Sequence, residues 1–539
     1  MILIFQKIGN QYGCWIKEDI NVRTQVLIIG GGATGTGLVR DLALRGVNCI
    51  LADAKDLNSG ASGANHGLLH SGARYAKSDP HSARECMEEG EILKRLAPHV
   101  LEDTGGLFVA VEGDDEKYVA DFPDLCGRAG IKVEEFSPEK VRELEPAVSD
   151  KTIAAYAVPD ATIDPFRLGL DNLSQAMSLG SRFLRRTKLV GFDIENGVIK
   201  AARMVNTRSG EEFRVVADQY VNAAGAWSGQ VAAMAGAEIG MLYAKGTLLV
   251  TNDRLTKRVI NRLRPPGDGD ILVPGGTVSI LGTTSIRVDS LDDIRPTVRE
   301  ADINVEQGMG MVPELATTRY IRAYAGVRPL LTGSADSDRN ASRGVALLEH
   351  AEAGLKNFVS ITGGKLTTYR LMAEQAGDLI CGRLGISAPC LTRTEPLPAS
   401  EEWQWNEPGL AGKSWLNDHA EGDVLLCECE MVPKSGVDRV LESFDTSKDK
   451  PGLKALVRRS RVGKGTCQGT FCSLRLTSYL YDKDYLHGDE GVRNLSEFLE
   501  ERWKGQRCIL WGMAESQAEL QEAFYCGLMG LELNQQVKK

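Results

Sequence analysis

The sequence has no stretch approaching the ~20 apolar residues that a membrane-spanning helix requires, so no direct span is expected. Its first residues, Met1 to Asn21, include Leu3, Ile4 and Phe5 but lack a basic start, a long apolar centre and a small-residue cleavage site. They are expected to form an extension rather than a signal peptide, which makes the cytoplasm the expected compartment. Aromatic residues are scarce at 6 %, and there is neither an internal repeat nor a low-complexity tract. A basic excess is also missing. The formal net charge of −10 argues against a nucleic-acid partner but not against a local basic pocket for an anion.

What is present suits an α/β enzyme of two or three domains. The chain of 539 residues is too long for one small core. Its 42 % apolar and 25 % charged residues are ordinary globular composition, and 58 glycines suit tight turns and close backbone approach to a ligand. Of twelve cysteines, eight are scattered and read as small buried residues, whereas four between Cys427 and Cys472 form two close pairs.

The patterning predicts a strand at Gln25–Ile29, a helix over Ala33–Arg45 stopped by Gly46, and a second strand over Val47–Ala52 that ends at Asp53. Gly30-Gly31-Gly32-Ala33-Thr34-Gly35 therefore falls between a strand and a helix, as a dinucleotide fingerprint must. Gly30 permits the tight turn, Gly32 lets the backbone approach a pyrophosphate, and Gly35 lets helix and strand pack closely. The helix N-terminus offers free N–H groups to phosphates, and Asp53 is expected to accept from ribose hydroxyls. Two further loops favour FAD over NAD: Asn58 to Gly67, and Asn222 to Trp227 after a short strand. Phe358–Leu366 reads as another strand, with a helix from Thr367 to Leu384. Gly363-Gly364-Lys365 then reads as a third flavin contact, whose positive dipole favours a reduced, anionic flavin. Lys365 itself is either flavin-adjacent or a phosphate ligand.

Several segments, in order, resemble the FAD-dependent glycerol-3-phosphate dehydrogenases, with the closer likeness to the large subunit of the anaerobic enzymes. They are Ile28–Gly35, His66–Tyr75, Val158–Asp160, Ile163–Arg167, Gly326–Pro329 and Gly363–Arg370. The resemblance implies a Rossmann-like FAD-binding domain of the D-amino-acid-oxidase type with an inserted α+β substrate domain. It also implies hydride transfer from C2 of glycerol 3-phosphate to flavin N5, giving dihydroxyacetone phosphate. Electrons would pass to a second flavoprotein subunit, to an iron–sulfur membrane-anchor subunit, and on to quinone, with the chain peripheral to the inner face of the membrane.

On the matching motifs, Arg74, Arg328 and Arg343, with Tyr75 beside them, resemble the family's substrate-binding residues, and the planar guanidinium suits phosphate. The cofactor contacts implied are Gly30, Gly32, Ala33, Thr34, Gly35, Asp53, Ser59, Ala61, Ser62, His66, Gly67, Leu69, Ala224, Gly225, Gly364, Lys365, Leu366 and Thr367. Single-subunit, quinone-linked members carry a His after a Lys-Gly-Ser motif. Here the run is Lys245-Gly246-Thr247-Leu248, so the proton acceptor lies elsewhere, with His66 and His70 as alternatives. An FAD-dependent amino-acid or 2-hydroxy-acid dehydrogenase, or a non-catalytic electron-transfer flavoprotein, are the competing readings.

Cys427-Glu428-Cys429 and Cys467 to Cys472 form a C-x-C and a C-x4-C pair. Four thiolates in two short turns suit [2Fe–2S] or structural zinc, and softness does not separate the two. The basic run Arg458 to Gly465 is expected to offset an anionic cluster. The pairs resemble small ferredoxin-like domains of the bacterioferritin-associated type, although the simplest of these have C-x2-C second. The expected organisation is an extension (1–23), an oxidoreductase domain (24–390), a polar linker (391–422), a [2Fe–2S] domain (423–476) and a C-terminal segment (477–539).

Overall fold

The computed structural model describes residues 21–332, 344–399, 415–444 and 450–531. Residues 1–20 of the expected extension, Arg343 and residues 400–414 of the expected linker lie outside the described residues.

The first strand, Asn21–Ile29, lies in an eight-stranded sheet between Glu212–Asn222 and Cys49–Ala52, parallel to both. Apolar runs such as Val26 to Ile29 form parallel strands because both faces are covered. On one face, Leu38 and Leu42 of the Ala33–Leu44 helix join Leu173, Met372 and Ile380 over Ile28, Leu51 and Val221. On the other, Phe192, Tyr220 and Phe358 pack with Leu27 and Ile50. Gly46 ends the helix at φ 79°, in the left-handed region. The register pairs Ile29 with both Ala52 and Asn222, so the three strands end level. Their carboxyl ends open one crevice, the usual ligand position in such sheets. The strand expected to reach Leu366 stops at Gly363, because Gly363 and Gly364 both take positive φ (78° and 67°).

A second sheet of nine strands forms the other wall of the crevice. In it Met241–Thr251 and Tyr320–Leu331 run antiparallel, with Gly246 opposite Gly326 and Ala244 opposite Arg328. A Cβ on Gly326 would run into the Ala64 carbonyl, so glycine lets this strand touch the loop that leaves the dinucleotide turn.

The C-terminal part is mostly helical, with one ribbon of Leu425–Cys427 against Val432–Pro433. A single core runs from Leu426 to Leu531, through Val437, Leu456, Leu476, Phe498 and Tyr525. The expected division at residue 476 falls inside the Cys472–Asp482 helix, and residues on both sides share that core. Local patterning carries no signal for such a merger, which comes from long-range packing.

The Glu490–Gln506 helix lies directly on the Tyr320–Leu331 strand, and a Cβ on Gly505 would strike the Ala323 carbonyl. Replacing Gly505 with valine is expected to cost about 1–3 kcal/mol through overpacking. Thermal melting and limited proteolysis check this. A wild-type melting temperature and cleavage rate would show that the close approach is dispensable.

Candidate functional site

The crevice is a cavity of 910 Å³ that contacts both sheets. At its floor Gly30 takes φ 116°, and a Cβ there would run into the Ala223 carbonyl. Gly35 does not line the cavity. A Cβ on it would strike the Gly30 carbonyl, so its part is to let the helix begin against the strand. Gly32 caps the helix without a side-chain hydrogen bond, and no acidic residue lies in the first turn. The positive helix end thus faces the cavity, where Ala33 and Thr34 are exposed to it. Ser62 Oγ accepts from Ala33 N at 2.9 Å, which ties the second glycine-rich loop to the first.

Asp53 accepts from Gly31 N at 2.8 Å and from Lys55 N at 2.7 Å. Burial pushes its carboxyl up, while those two N–H donors oppose the rise. Ala61, Ser62, His66, Ala224, Gly225, Gly364, Lys365 and Leu366 also line the cavity. Three further expected contacts do not. Leu69 is buried in the core with Leu93 and Tyr369, Gly67 turns the chain at φ 68°, and buried Thr367 accepts from His70 N at 3.1 Å. Ser59 lines the cavity, but its hydroxyl donates to the Asp56 carbonyl and accepts from Arg458 Nη1 at 2.8 Å.

Arg74, Tyr75, His70, Lys365 and Arg328 line the same cavity. Lys365 Nζ stands 4.7 Å from the Tyr75 ring centre, and the His70 and Tyr75 rings are 5.5 Å apart. His66 and His70 are 6.0 Å apart. Arg74 donates through Nη2 to Asp270 at 3.1 Å, while its Nη1 is buried with no hydrogen-bond partner among the described residues. Arg328 donates to the Thr284 carbonyl at 3.2 Å and to Thr283 Oγ1. Its guanidinium lies flat over Gly246, where a Cβ would sit 2.7 Å away. Lys245, beside that glycine, is a structural cation held 2.9 Å from buried Glu300. Asp270, Thr283 and Gly246 therefore aim the arginines. Sequence reasoning missed all three, and only Gly246, in the departure at Lys245–Leu248, gave a signal.

The four cysteines are neighbours. Cys472 acts on the ionisation of both Cys427 and Cys467, and Cys429 on that of Cys467. The backbone of the same turn, at Gly469 and Phe471, favours the Cys467 thiolate. The neighbouring Cys472 thiol is the main cause that brings Cys467 down to about 5, and Cys472 is pushed far up in exchange. Among the described residues no three His, Cys, Asp or Glu side chains form a ready metal-binding group. By chemistry alone, two thiols from each pair match the four thiolates that a [2Fe–2S] cluster takes.

This cysteine unit reaches the cavity loop through buried ion pairs. Arg459 donates to both Asp56 oxygens at 3.0 and 2.8 Å, and Arg185 lies 3.5 Å from the same carboxylate. Arg461 pairs with Glu430 and Asp164 at 2.5 and 3.4 Å.

The profile described as FAD dependent oxidoreductase matches residues 25–374. The chain is 44 % identical to one of the subunits of the anaerobic glycerol-3-phosphate dehydrogenase of Escherichia coli K12, covering 96 % of this chain and 99 % of that one. To the corresponding subunit from Haloferax volcanii it is 37 % identical, covering 94 % and 90 %. Among solved structures, the glycerol-3-phosphate dehydrogenase from Bacillus halodurans complexed with FAD superposes at a TM-score of 0.63 with 19 % identity, covering 91 % and 96 %; that likeness concerns the fold. The chain therefore belongs to the FAD-dependent oxidoreductase family, in the branch formed by these anaerobic glycerol-3-phosphate dehydrogenase subunits. Its Gly30–Gly35 cradle, open helix end and adjoining cavity fit FAD.

Burial alone would raise the pKa of Asp56, but Arg459, Arg185 and Arg458 hold it below the usual carboxylate range. Its stabilising contribution is thus complete above pH about 4 and is lost as pH falls through the lowered folded-state value. Asp56→Asn is expected to cost about 3–5 kcal/mol at pH 7, because it strands buried arginines. Urea unfolding at pH 7, 5 and 3.5 checks this, and a gap from wild type that has closed by pH 5 would contradict it.

Proposed function

We propose that this chain oxidises sn-glycerol 3-phosphate to dihydroxyacetone phosphate at the cavity end lined by Arg74, Arg328, Lys365, Tyr75 and His70. The observation that carries the reading is the meeting of three cations and an imidazole in the same cavity as the dinucleotide cradle. FAD, when bound, supplies the acceptor for the hydride that leaves C2. Arg74 and Arg328 bind the phosphate dianion, each already oriented by Asp270 or by Thr283 and Thr284. Such prior orientation lowers the entropic cost of positioning C2. Lys365 adds charge above the Tyr75 ring, and Arg343 is proposed as a further phosphate ligand. His70 takes the proton from the C2 hydroxyl, with His66 as the other imidazole within reach of the same space. Three cations suit a phosphate dianion better than a single carboxylate, which favours this substrate over an amino acid or a 2-hydroxy acid.

The cysteine unit is proposed to carry a [2Fe–2S] cluster on Cys427, Cys429, Cys467 and Cys472, which takes electrons singly. Onward transfer is to partner subunits, a second flavoprotein and an iron–sulfur membrane anchor, and then to quinone. Two findings support that division of labour. The relatives are named as single subunits of their enzymes, and among the described residues no helix is long and apolar enough to cross a membrane. The chain is then peripheral to the inner face of the membrane.

Anaerobic addition of glycerol 3-phosphate is expected to bleach the bound flavin, whereas 2-hydroxyglutarate and proline leave it oxidised. Arg328→Ala is expected to raise KM by roughly 10- to 100-fold with FAD retained, since a charge-assisted hydrogen bond is worth about 1.5–3 kcal/mol. A flavin unaffected by glycerol 3-phosphate would refute the substrate, and loss of FAD from the variant would reassign Arg328 to structure.

A further inference from the structure

The Tyr320–Leu331 strand carries two arginines with different surroundings. Arg328 faces the cavity, whereas Arg322 lies at the contact with the C-terminal unit, next to the Ala323 carbonyl on which Gly505 rests. Its guanidinium stands 5.5 Å from the Tyr324 ring centre, and its Nε is buried without a hydrogen-bond partner among the described residues. Across the contact, Arg502 is buried, lies 5.0 Å from the Phe498 ring centre and donates to Gln468 Oε1 at 3.2 Å. Gln468 sits inside the second cysteine pair, whose Gly469 packs on Phe498. The two guanidiniums repel each other, and Glu501 acts on both through space. Burial and Arg322 oppose the charge of Arg502, whereas Cys472, Glu501 and Cys467 act through space in its favour.

Two buried cations this close are unfavourable unless an anion is placed between or beside them. In the basic run from Arg458 to Gly465, Arg459 is engaged by Asp56 and Arg461 by Glu430 and Asp164, while Arg458 donates to Ser59 Oγ and Lys464 lies over the Phe166 ring. Arg461 lies near Cys427, but two carboxylates already offset its charge. Tyr324 OH donates to the Asn65 carbonyl at 2.7 Å, so the pair stands on the side of the cysteines that faces the cavity loop.

We infer that Arg502, supported by Arg322, is the built-in counter-charge of the four-cysteine site and sets the reduction potential of the group held there. The inference rests on the reading above that these cysteines hold an iron–sulfur cluster. Such a cluster is net negative and gains a further negative charge on reduction, so a fixed cation beside it favours the reduced form.

The test uses the full chain, reconstituted anaerobically with iron and sulfide, as wild type, Arg502→Gln, Arg502→Lys and Arg322→Gln. Iron and sulfide are counted, and the one-electron midpoint is titrated by EPR. Arg502→Gln is expected to retain the cluster at a lower midpoint, with the oxidised-to-reduced ratio at a fixed potential raised about tenfold, or about 59 mV. Arg502→Lys restores most of this, and Arg322→Gln shifts the midpoint the same way by less. A second readout separates charge balance from packing. Loss of the charge leaves the metal-free chain as stable as wild type, or more so, and destabilises the loaded chain. Unchanged midpoints in the glutamine variants, or equal destabilisation with and without the cluster, overturn the inference and leave the cluster reading intact. A wild-type chain that takes up neither iron nor sulfide overturns the cluster reading and the inference with it.

Discussion

Asp56 follows the Cys49–Ala52 strand and gives its carboxylate to Arg459 of the C-terminal unit and to Arg185. The same residue shapes the cavity loop, since its carbonyl accepts from Ser59 and its own carboxylate accepts from Leu57 N at 2.8 Å. A buried ion pair contributes little net stability over apolar packing of equal size, but it is costly to break and strict in geometry. Its effect here is positional. A displacement of the cysteine unit would leave Arg459 unpaired in the interior, so the unit and the Asn58–Gly67 loop are held in one arrangement. The separation between the proposed flavin and cysteine sites is thereby fixed by a residue that touches neither.

The same logic of contact rather than composition explains what was legible in the sequence. The Gly30–Gly35 turn was legible because its constraint is local. A strand, a positive φ and a helix start follow within a few residues, and Asp53 directly follows the neighbouring strand. The FAD-binding α/β fold followed from that unit and the family motifs. Arg74 and Arg328 were named through their motifs, but the partners that orient them come from residues far along the chain. Gly246 reaches Arg328 only through strand pairing, and Asp270 reaches Arg74 only through the second sheet. No local period encodes such meetings. Leu69 and Thr367 sit in matching motifs, yet serve the core and the backbone of His70. Motif membership thus identified segments more reliably than the work of each side chain within them.

The distribution of arginine charge shows how an acidic chain of net charge −10 can serve anionic ligands. Arg459 and Arg461 meet carboxylates and act as joints between parts of the molecule. Arg74 is an intermediate case. Asp270 also accepts from Arg264, so one carboxylate is shared between two guanidiniums and neutralises neither fully. The arrangement fixes the direction of Arg74 while leaving positive potential at the cavity. Arg328 is oriented in part by the oxygens of Thr283 and Thr284. Arg502 is held by the neutral amide of Gln468 in just this way. In a low-dielectric interior such a choice of partner matters more than the number of cations, because an acceptor without charge leaves the field of the guanidinium almost undiminished. The neutral amide that holds Arg502 therefore leaves a positive charge, held still, for an anion beside the second cysteine pair.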